Sequence, residues 1–392
     1  MKLSLKPQHL RRYKDFALLF LKYGNSDLVR QLGMEEILDE KEGALPAGAE
    51  YKPEQLTDDL EKMGPTFVKL GQLLSSRSDL LPPPYLNALA RLQDDVKPFS
   101  YEEVEQIITG ELGVRISKGF SYFNPHPLAA ASLGQVHEAA LRDGRPVVVK
   151  VQRPGIRSQI LQDLEVLDEI ADFLDAHTEA GKRYQFVKLL DEFRKSLLRE
   201  LDYRKEASNL VALAKNLEGF EGIEVPSPIE DYTTSRVLTM EYITGKKITS
   251  LGPLVKVELD GAALADELFR AYLKQVLVDG LFHADPHPGN VYLTDDRRIA
   301  LLDLGMVGRV APQMQECLLQ LLLAISEGEA ETVAEIVIKI SEKRDGFEEM
   351  EFRRQIAGLV IEMKDASLQE IDIGKVILGL VRHAGAQGLR VP

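Results

Sequence analysis

The chain has 392 residues, enough for two or three packed cores, and its 44% hydrophobic and 28% charged residues are those of an ordinary soluble globular protein. A net charge of −14 argues against nucleic acid as a main partner. The single cysteine, Cys317, excludes an internal disulfide and any cysteine-rich metal site, and fits a reducing compartment.

The first residues, MKLSLKPQHLRRYK, carry Lys2, Lys6, Arg11, Arg12 and Lys14 ahead of FALLFL. That apolar run is too short for a signal peptide, and charge resumes at Lys22. Two readings stay open: a basic helix lying on a membrane surface, or a helix docked on the protein's own core. No run of about 18 apolar residues follows anywhere, so no spanning helix is evident.

Residues 1–42 read as helical and 45–55 as a linker. Helices are expected over 54–64 and 66–80, separated by Gly64-Pro65 and stopped by Leu81-Pro82-Pro83-Pro84. Two more are expected over 84–93 and 100–112. From 114 the runs shorten and become strand-like. PVVVKVQ at 146–152 is a β-branched stretch after Asp143-Gly144, a hairpin signal, so 114–152 reads as a small antiparallel sheet. Helical periodicity returns over 156–177, with Ile160, Leu164, Leu167, Ala171 and Leu174 on one face, and continues over 184–217. Strands are expected over 223–243, a helix over 254–280, a strand in IALLDLG at 299–305, and mostly helix over 311–384.

The chemistry concentrates in LFHADPHPGNVYL at 281–293, where two prolines, a glycine, two histidines and an aspartate share one turn. Asn290 follows Asp285 by five residues, and Asp303, in DLG, follows Asp285 by eighteen. This order matches the catalytic loop and DFG motif of protein kinases, Lys150 at the end of VVVK matches their strand lysine, and TMEY at 239–242 looks like their interlobe hinge. Phosphate chemistry gives the roles. A triphosphate needs a cation clamp and magnesium, so Lys150 would contact the phosphates, Asp303 and Asn290 would hold Mg2+, and Asp285 would orient an attacking hydroxyl or water. A buried lysine also needs a carboxylate partner to stay charged. The prolines restrict φ and so fix where the loop presents its oxygens. The plainer reading is that Asp285 caps a turn and Asp303 ends a strand. His283 is read as a packed structural histidine, with a His283–His287 metal pair as the alternative.

Further motifs narrow the resemblance. Where a kinase carries GxGxxG, this chain has AAASLGQVHEA at 129–139; it also has Lys-x-Gly-Gln in FVKLGQLLSSRSDLLP (67–82) and Glu-x-Asp in ELDYRKEASN (200–209). With FHADPHPGN and LLDLG, these resemble the UbiB family of atypical kinase-like proteins over roughly residues 60–310. The resemblance implies an α+β, two-lobed protein-kinase-like fold with a helical N-terminal extension and a helix-rich C-terminal lobe. Its parts would be an extension over 1–112, an N-lobe over 113–243 and a C-lobe over 244–392.

The same resemblance places Lys69, with Gln72, in the region where a protein kinase holds its peptide, which disfavours protein phosphorylation. It sets Glu200 and Asp202 beside Lys69, and makes Glu206 the partner of Lys150, although a solvated helix charge is the plainer reading of Glu206. By helical spacing Glu200, Tyr203 and Glu206 fall on one face, so one helix would serve both contacts. The nucleotide would lie against Ala129, Ala130, Ala131, Ser132, Leu133, Gly134, Gln135 and Val136, with Met240 behind the adenine and backbone groups of Glu241 and Ile243 bonded to it. Alanine in place of glycine removes access to positive φ, so the loop would cradle phosphates differently; a helix start is the alternative reading of AAAS. Ala284 replaces the usual kinase arginine, which removes a receptor for a phosphorylated activation loop.

The expected activity is that of a magnesium-dependent ATPase or kinase-like enzyme supporting ubiquinone or isoprenoid-lipid biosynthesis. Expected partners are ATP and ADP, a membrane lipid or prenyl-quinone precursor, and biosynthetic enzymes; oligomeric state is left open. Rivals are a true kinase with a protein or small-molecule acceptor, and a nucleotide-binding scaffold without catalysis. Family members often end in one or two membrane-spanning helices. This chain ends at GLRVP without one. It is therefore read as a cytoplasmic protein held peripherally on the inner membrane, or as one whose anchor has been removed. The basic N-terminus and the apolar helices near 354–382 are the candidate contact surfaces.

Overall fold

A computed structural model of the chain describes residues 12–16, 19, 22, 52–75, 77, 80–92, 96–252, 261–286, 288–344, 346–364 and 373–391. They fall into two compact units: residues 1–214, 225–246 and 300–306 form the first, and 215–224, 247–299 and 307–392 the second.

The first unit opens with three helices started by proline: α1 (Pro53–Met63), α2 (Pro65–Ser75) and α3 (Pro83–Leu89). Proline suits a first turn because its missing N–H has no partner there in any case. Helix α1 begins at Pro53, inside the stretch expected to be linker, and Gly64 at φ 104° separates α1 from α2. Helix α4 (Tyr101–Leu112) is set by a capping box, in which Ser100 and Glu103 bond each other's backbone N–H.

A sheet follows. Its strands are β1 (Phe120–Phe123), β2 (Ala129–Ala130), β3 (Gly134–Leu141), β4 (Pro146–Gln152) and β5 (Val237–Glu241). They run in the order β1-β3-β4-β5, with β2 on β3, and every pairing is antiparallel, as expected. Ile116–Gly119, expected as part of a strand, is instead a single helical turn before β1. Helix α4 covers the sheet through Val104, Ile107 and Ile108.

Helix α5 (Ile156–His177) buries the predicted face. The helical stretch expected over 184–217 divides into α6 (Glu179–Tyr184), α7 (Phe186–Glu200) and α8 (Tyr203–Asn216). Helices α1, α2, α3, α5 and α7 share one apolar core centred on the fully buried Phe67, Ile160 and Leu164.

Arg12, from the short described part of the N-terminus, is committed to this core. Its guanidinium pairs with the buried Asp163 (Nε to Oδ1 2.7 Å), donates to the Met63 carbonyl (2.9 Å) and lies 5.1 Å from the Phe67 ring centroid. Thr66 also donates to Asp163 (2.6 Å). Burial pushes the Asp163 carboxyl up, and these partners oppose that. Docking is thus what Arg12 does; Lys2, Lys6 and Arg11 lie outside the described residues.

In the second unit, α9 (Gly261–Lys274) runs into a π-helical turn over Gln275–Asp279 that Gly280 ends at φ 64°. Strand β6 (Leu281–His283) pairs antiparallel with β9 (Val307–Arg309), and β7 (Val291–Thr294) lies between them in sequence. Strand β8 (Ile299–Leu301) carries the chain back into the first unit. Helices α10 (Pro312–Glu327), α11 (Ala330–Ile340), α12 (Glu349–Lys364) and α13 (Ile373–Ala386) complete the second unit around Phe352 and Ile356. Among the described residues no helix is long and apolar enough to cross a membrane.

Phe67 is 0% exposed and joins the extension to α5. Phe67→Ala is expected to cost about 3–5 kcal/mol of stability, read by chemical denaturation. A loss under about 1 kcal/mol would mean that α2 does not share that core.

Candidate nucleotide and phosphate site

The first unit gathers its charged residues around Lys150, the fifth residue of β4. Lys150 Nζ contacts both carboxylate oxygens of Glu206 (3.0 and 2.9 Å) and lies 3.6 Å from Asp303 Oδ2. Glu206 sits in the first turn of α8 and is 4% exposed, so the solvated-charge reading of it fails. Nearby, Lys69 of α2 pairs with Glu200, the last residue of α7, at 3.3 Å. Asp202, placed beside Lys69 by the motif, pairs instead with Arg204 at 3.0 Å.

Glu200 and Glu206 do not share a helix. The chain breaks at Leu201-Asp202, between α7 and α8. Gln152, at the end of β4, donates to the Leu201 carbonyl (3.0 Å), and the Tyr203 N–H donates to Ser235 (3.1 Å), so strand-side groups take over helix-end partners. Leu201 itself is 1% exposed, anchored in the helical core.

The electrostatics follow from burial and from an excess of negative charge. Among the described residues, Glu206 and Asp303 face Lys150, and Glu200 faces Lys69. Burial pushes the Glu206 carboxyl up to about 7 against the opposing pull of Lys150, and Asp303 adds to the rise. Burial likewise raises Glu200, with Lys69 opposing. Burial alone would lower Lys150, but the charges of Asp303 and Glu206 hold its ammonium well above the ordinary range. The Tyr203 phenol, buried under Lys150 (Nζ 5.2 Å from the ring centroid), is raised chiefly by burial.

The alanine-rich segment is a tight strand-turn. Ala129 and Ala130 form β2 against Val136 and Gln135, and the Ala131 N–H donates to Gly134 (2.7 Å). None of residues 129–136 adopts positive φ, so alanine costs nothing here. Gly134 is required for a different reason: a Cβ there would come within 2.5 Å of the Tyr203 hydroxyl and 2.6 Å of the Val151 carbonyl. Ser132 is buried at 1% and Leu133 packs into the helical core. The Gln135 side chain turns to Phe99, accepting from its N–H (2.9 Å) and donating to its carbonyl (3.3 Å). Gln72 donates to the Leu92 carbonyl (3.3 Å). Met240 is buried on β5 opposite Val148, the Glu241 N–H donates to Ser227 (3.0 Å), and Ile243 is half-buried just beyond β5.

Asp303 has φ 59°, one of three non-glycine residues in the left-handed region among those described. Its Oδ1 accepts from the Gly305 N–H (3.2 Å), and the Leu304 carbonyl accepts from Asn209 of α8 (2.9 Å). Neither Asn209 nor Tyr203 was singled out by motif. The available signal was spacing: Asn209 lies three residues after Glu206, on the same helix face.

In the second unit, Asp285 is exposed after β6, and Asn290 closes a 3-10 turn, Pro288–Asn290, at the start of β7. His283 is 1% exposed, pairs with Val307 across β6–β9, and its N–H donates to the Gln275 side chain (3.0 Å); it is a packed residue. His287 lies outside the described residues, and among those described no group of three or more His, Cys, Asp or Glu could hold a metal ion. The Tyr272 hydroxyl is pushed up to about 12 by burial, with a smaller contribution from Asp285.

Residues 91–337 match the ABC1 atypical kinase-like domain, and the chain belongs to that family. It is 37% identical over 330 residues to a probable protein kinase UbiB of Marinobacter nauticus, covering 83% of this chain and 60% of that one. It is 40% identical over 290 residues to the chloroplastic protein Activity of BC1 complex kinase 8 of Arabidopsis thaliana, covering 73% and 38%. The chain therefore spans less than two thirds of the length of these relatives. Among solved structures, the complex of Rv3197 with erythromycin from Mycobacterium tuberculosis matches with TM-score 0.52 and 25% identity over 85% of this chain and 90% of that one. The fold is thus kinase-like: α+β, with an antiparallel sheet early and a helix-rich C-terminal part.

Between its ordinary 4.5 and about 7, Glu206 binds a proton in the folded state that the unfolded chain has released, so stability falls as pH rises through that window. Lys150, raised, contributes in the same direction, but only above its ordinary range. Glu206→Gln is expected to remove roughly 1–2 kcal/mol of the decline between about pH 5 and 7, read by urea denaturation of nucleotide-free protein. An unchanged slope would show that Lys150 keeps the carboxylate ionised across the window.

Proposed function

We propose that the chain is a magnesium-dependent, ATP-binding kinase-like enzyme that transfers the γ-phosphoryl group to water or to a small acceptor, in support of ubiquinone or related isoprenoid-lipid biosynthesis at a membrane. The observation that carries the reading is the Lys150–Glu206 pair with Asp303 3.6 Å from the same ammonium. Such a lysine is charged, held in place and aimed at the group that must orient a metal-bound phosphate. Family membership supports the kinase-like part. The quinone-lipid part leans on the name UbiB carried by relatives, and a peripheral, inner-membrane location belongs to the same proposal.

In this reading Lys150 binds the phosphates through its ammonium, and Glu206 orients that ammonium. Asp303 and Asn290 would hold Mg2+, and Asp285 would orient the attacking oxygen. The donor set fits a divalent cation: the carboxylate surplus around Lys150 and Lys69 is a negative charge that a cation would balance, and Asp303 is half exposed. Magnesium keeps waters and phosphate oxygens among its ligands, so few protein donors suffice. When bound, it supplies charge neutralisation at the transferred phosphoryl. The nucleotide would run along residues 129–136 towards Met240, Glu241 and Ile243. Lys69, tied to Glu200, would occupy the acceptor side, with Gln72 and Asp202 supporting that corner, and would disfavour a peptide acceptor.

Phosphate release from ATP with magnesium tests the reading in wild type, Asp303→Asn and Lys69→Ala, with and without anionic liposomes. Release that falls at least about 100-fold in Asp303→Asn and rises with liposomes is the expected result. Tight nucleotide binding without release would replace catalysis by scaffolding, or by a kinase that awaits its acceptor. Lys69→Ala is also expected to shift the ratio of ATP to ADP affinities; unchanged affinities would remove Lys69 from the nucleotide site.

A further inference from the structure

Asp303 has a left-handed backbone. That conformation puts Cβ close to the following carbonyl, and outside glycine it is visited mainly by asparagine and aspartate, whose short side chains bond locally. At Asp303, φ is 59°. The Gly305 N–H bond to Oδ1 (3.2 Å) and the Lys150 ammonium (3.6 Å) act on the side chain. A contact to the adjoining backbone comes from Asn209, whose Nδ2 donates to the carbonyl of the next residue, Leu304, at 2.9 Å.

Asn209 is an odd choice for its own helix. It lies in the middle of α8, where asparagine is a poor helix former because its amide competes with the backbone. Its carboxamide instead reaches 95 residues along the chain. Leu304 is fully buried, so its carbonyl segment cannot drift without disturbing the core. Asn209 also stands one turn from Glu206 on the same face of α8. A single helix therefore contacts the Lys150 ammonium through Glu206 and the residue after Asp303 through Asn209.

We propose that Asn209 is a positioning residue: its hydrogen bond to the Leu304 carbonyl holds Asp303 in the left-handed conformation that turns the Asp303 carboxylate towards Lys150 and the phosphates. The part of this that concerns metal and phosphate rests on the proposed function; the part that concerns the Asp303 backbone does not.

The test compares wild type, Asn209→Leu, Asn209→Gln and Asp303→Asn. Leucine is close to asparagine in size, cannot donate, and is the better helix former, so a loss it causes traces to the missing hydrogen bond rather than to helix propensity. Two readouts are taken on the whole chain. The first is amide hydrogen exchange at Gly305 in nucleotide-free, metal-free protein. The second is the magnesium dependence of ADP binding by calorimetry.

Asn209→Leu is expected to speed exchange at Gly305 and to weaken the magnesium-dependent part of ADP affinity, each by roughly 3- to 10-fold, the worth of one hydrogen bond. Metal-free ADP affinity stays at the wild-type value, whereas a merely structural loss would weaken binding with and without metal alike. Asn209→Gln, which keeps the donor, recovers much of both losses. Wild-type exchange at Gly305 in Asn209→Leu overturns the proposal, as does an equal loss in Asn209→Gln. Asp303→Asn serves as the control on the parent reading. If it leaves the magnesium dependence intact, the metal role of Asp303 falls, and the exchange measurement alone decides whether Asn209 holds the backbone.

Discussion

The buried pair of Lys150 and Glu206 is the interaction on which the first unit's arrangement turns. Taking a lysine out of water is costly unless a carboxylate meets it with good geometry, and breaking such a pair from one side leaves an uncompensated charge. Glu206 meets both requirements, with two contacts at 2.9 and 3.0 Å at 4% exposure. To bring it there, the chain ends α7, turns at Leu201-Asp202 and restarts as α8 with Glu206 in its first turn. The same restart sets Tyr203 under the lysine and against Gly134, and aims Asn209 at the DLG segment.

A pair of this kind is weak evidence for stability and better evidence for use. Charge around Lys150 is unbalanced, with more carboxylates than ammonium groups, and burial pushes Glu206 and Glu200 up accordingly. A fold selected only for stability would neutralise that surplus with apolar residues. The extension contributes the second ammonium, Lys69, on a helix whose other face is locked into the core through Phe67, and Arg12 bears on that same ring.

Much of this was legible in the sequence. The β-branched run ending at Lys150, the FHADPHPGN and DLG motifs, and the Lys-x-Gly-Gln and Glu-x-Asp motifs carried the family and the fold class. The resemblance gives Glu206 as the partner of Lys150, and the loop pattern reads His283 as packed, both as found. Other features resisted. The linker reading of 45–55 missed that Pro53 is a good first residue for a helix. The stretch 184–217 looked continuous because its periodicity continues across Leu201-Asp202. The motif placed Asp202 beside Lys69, while a nearer arginine, Arg204, takes it.

The sequence by itself determined what is set by local pattern: where helices start on prolines or a capping box, which face of α5 is apolar, which strands alternate, and which residues can do phosphate chemistry. Tertiary structure alone decided the break between α7 and α8 and which distant polar groups meet. Gln152 reaches the Leu201 carbonyl across 49 residues, Arg12 reaches Asp163 across 151, and Asn209 reaches Leu304 across 95. Propensity and spacing act within a few residues, whereas a buried carbonyl or carboxylate must find a partner wherever the packed chain supplies one. That requirement gave Asn209 its contact; spacing within α8 puts it on the Glu206 face but does not name Leu304 as its partner.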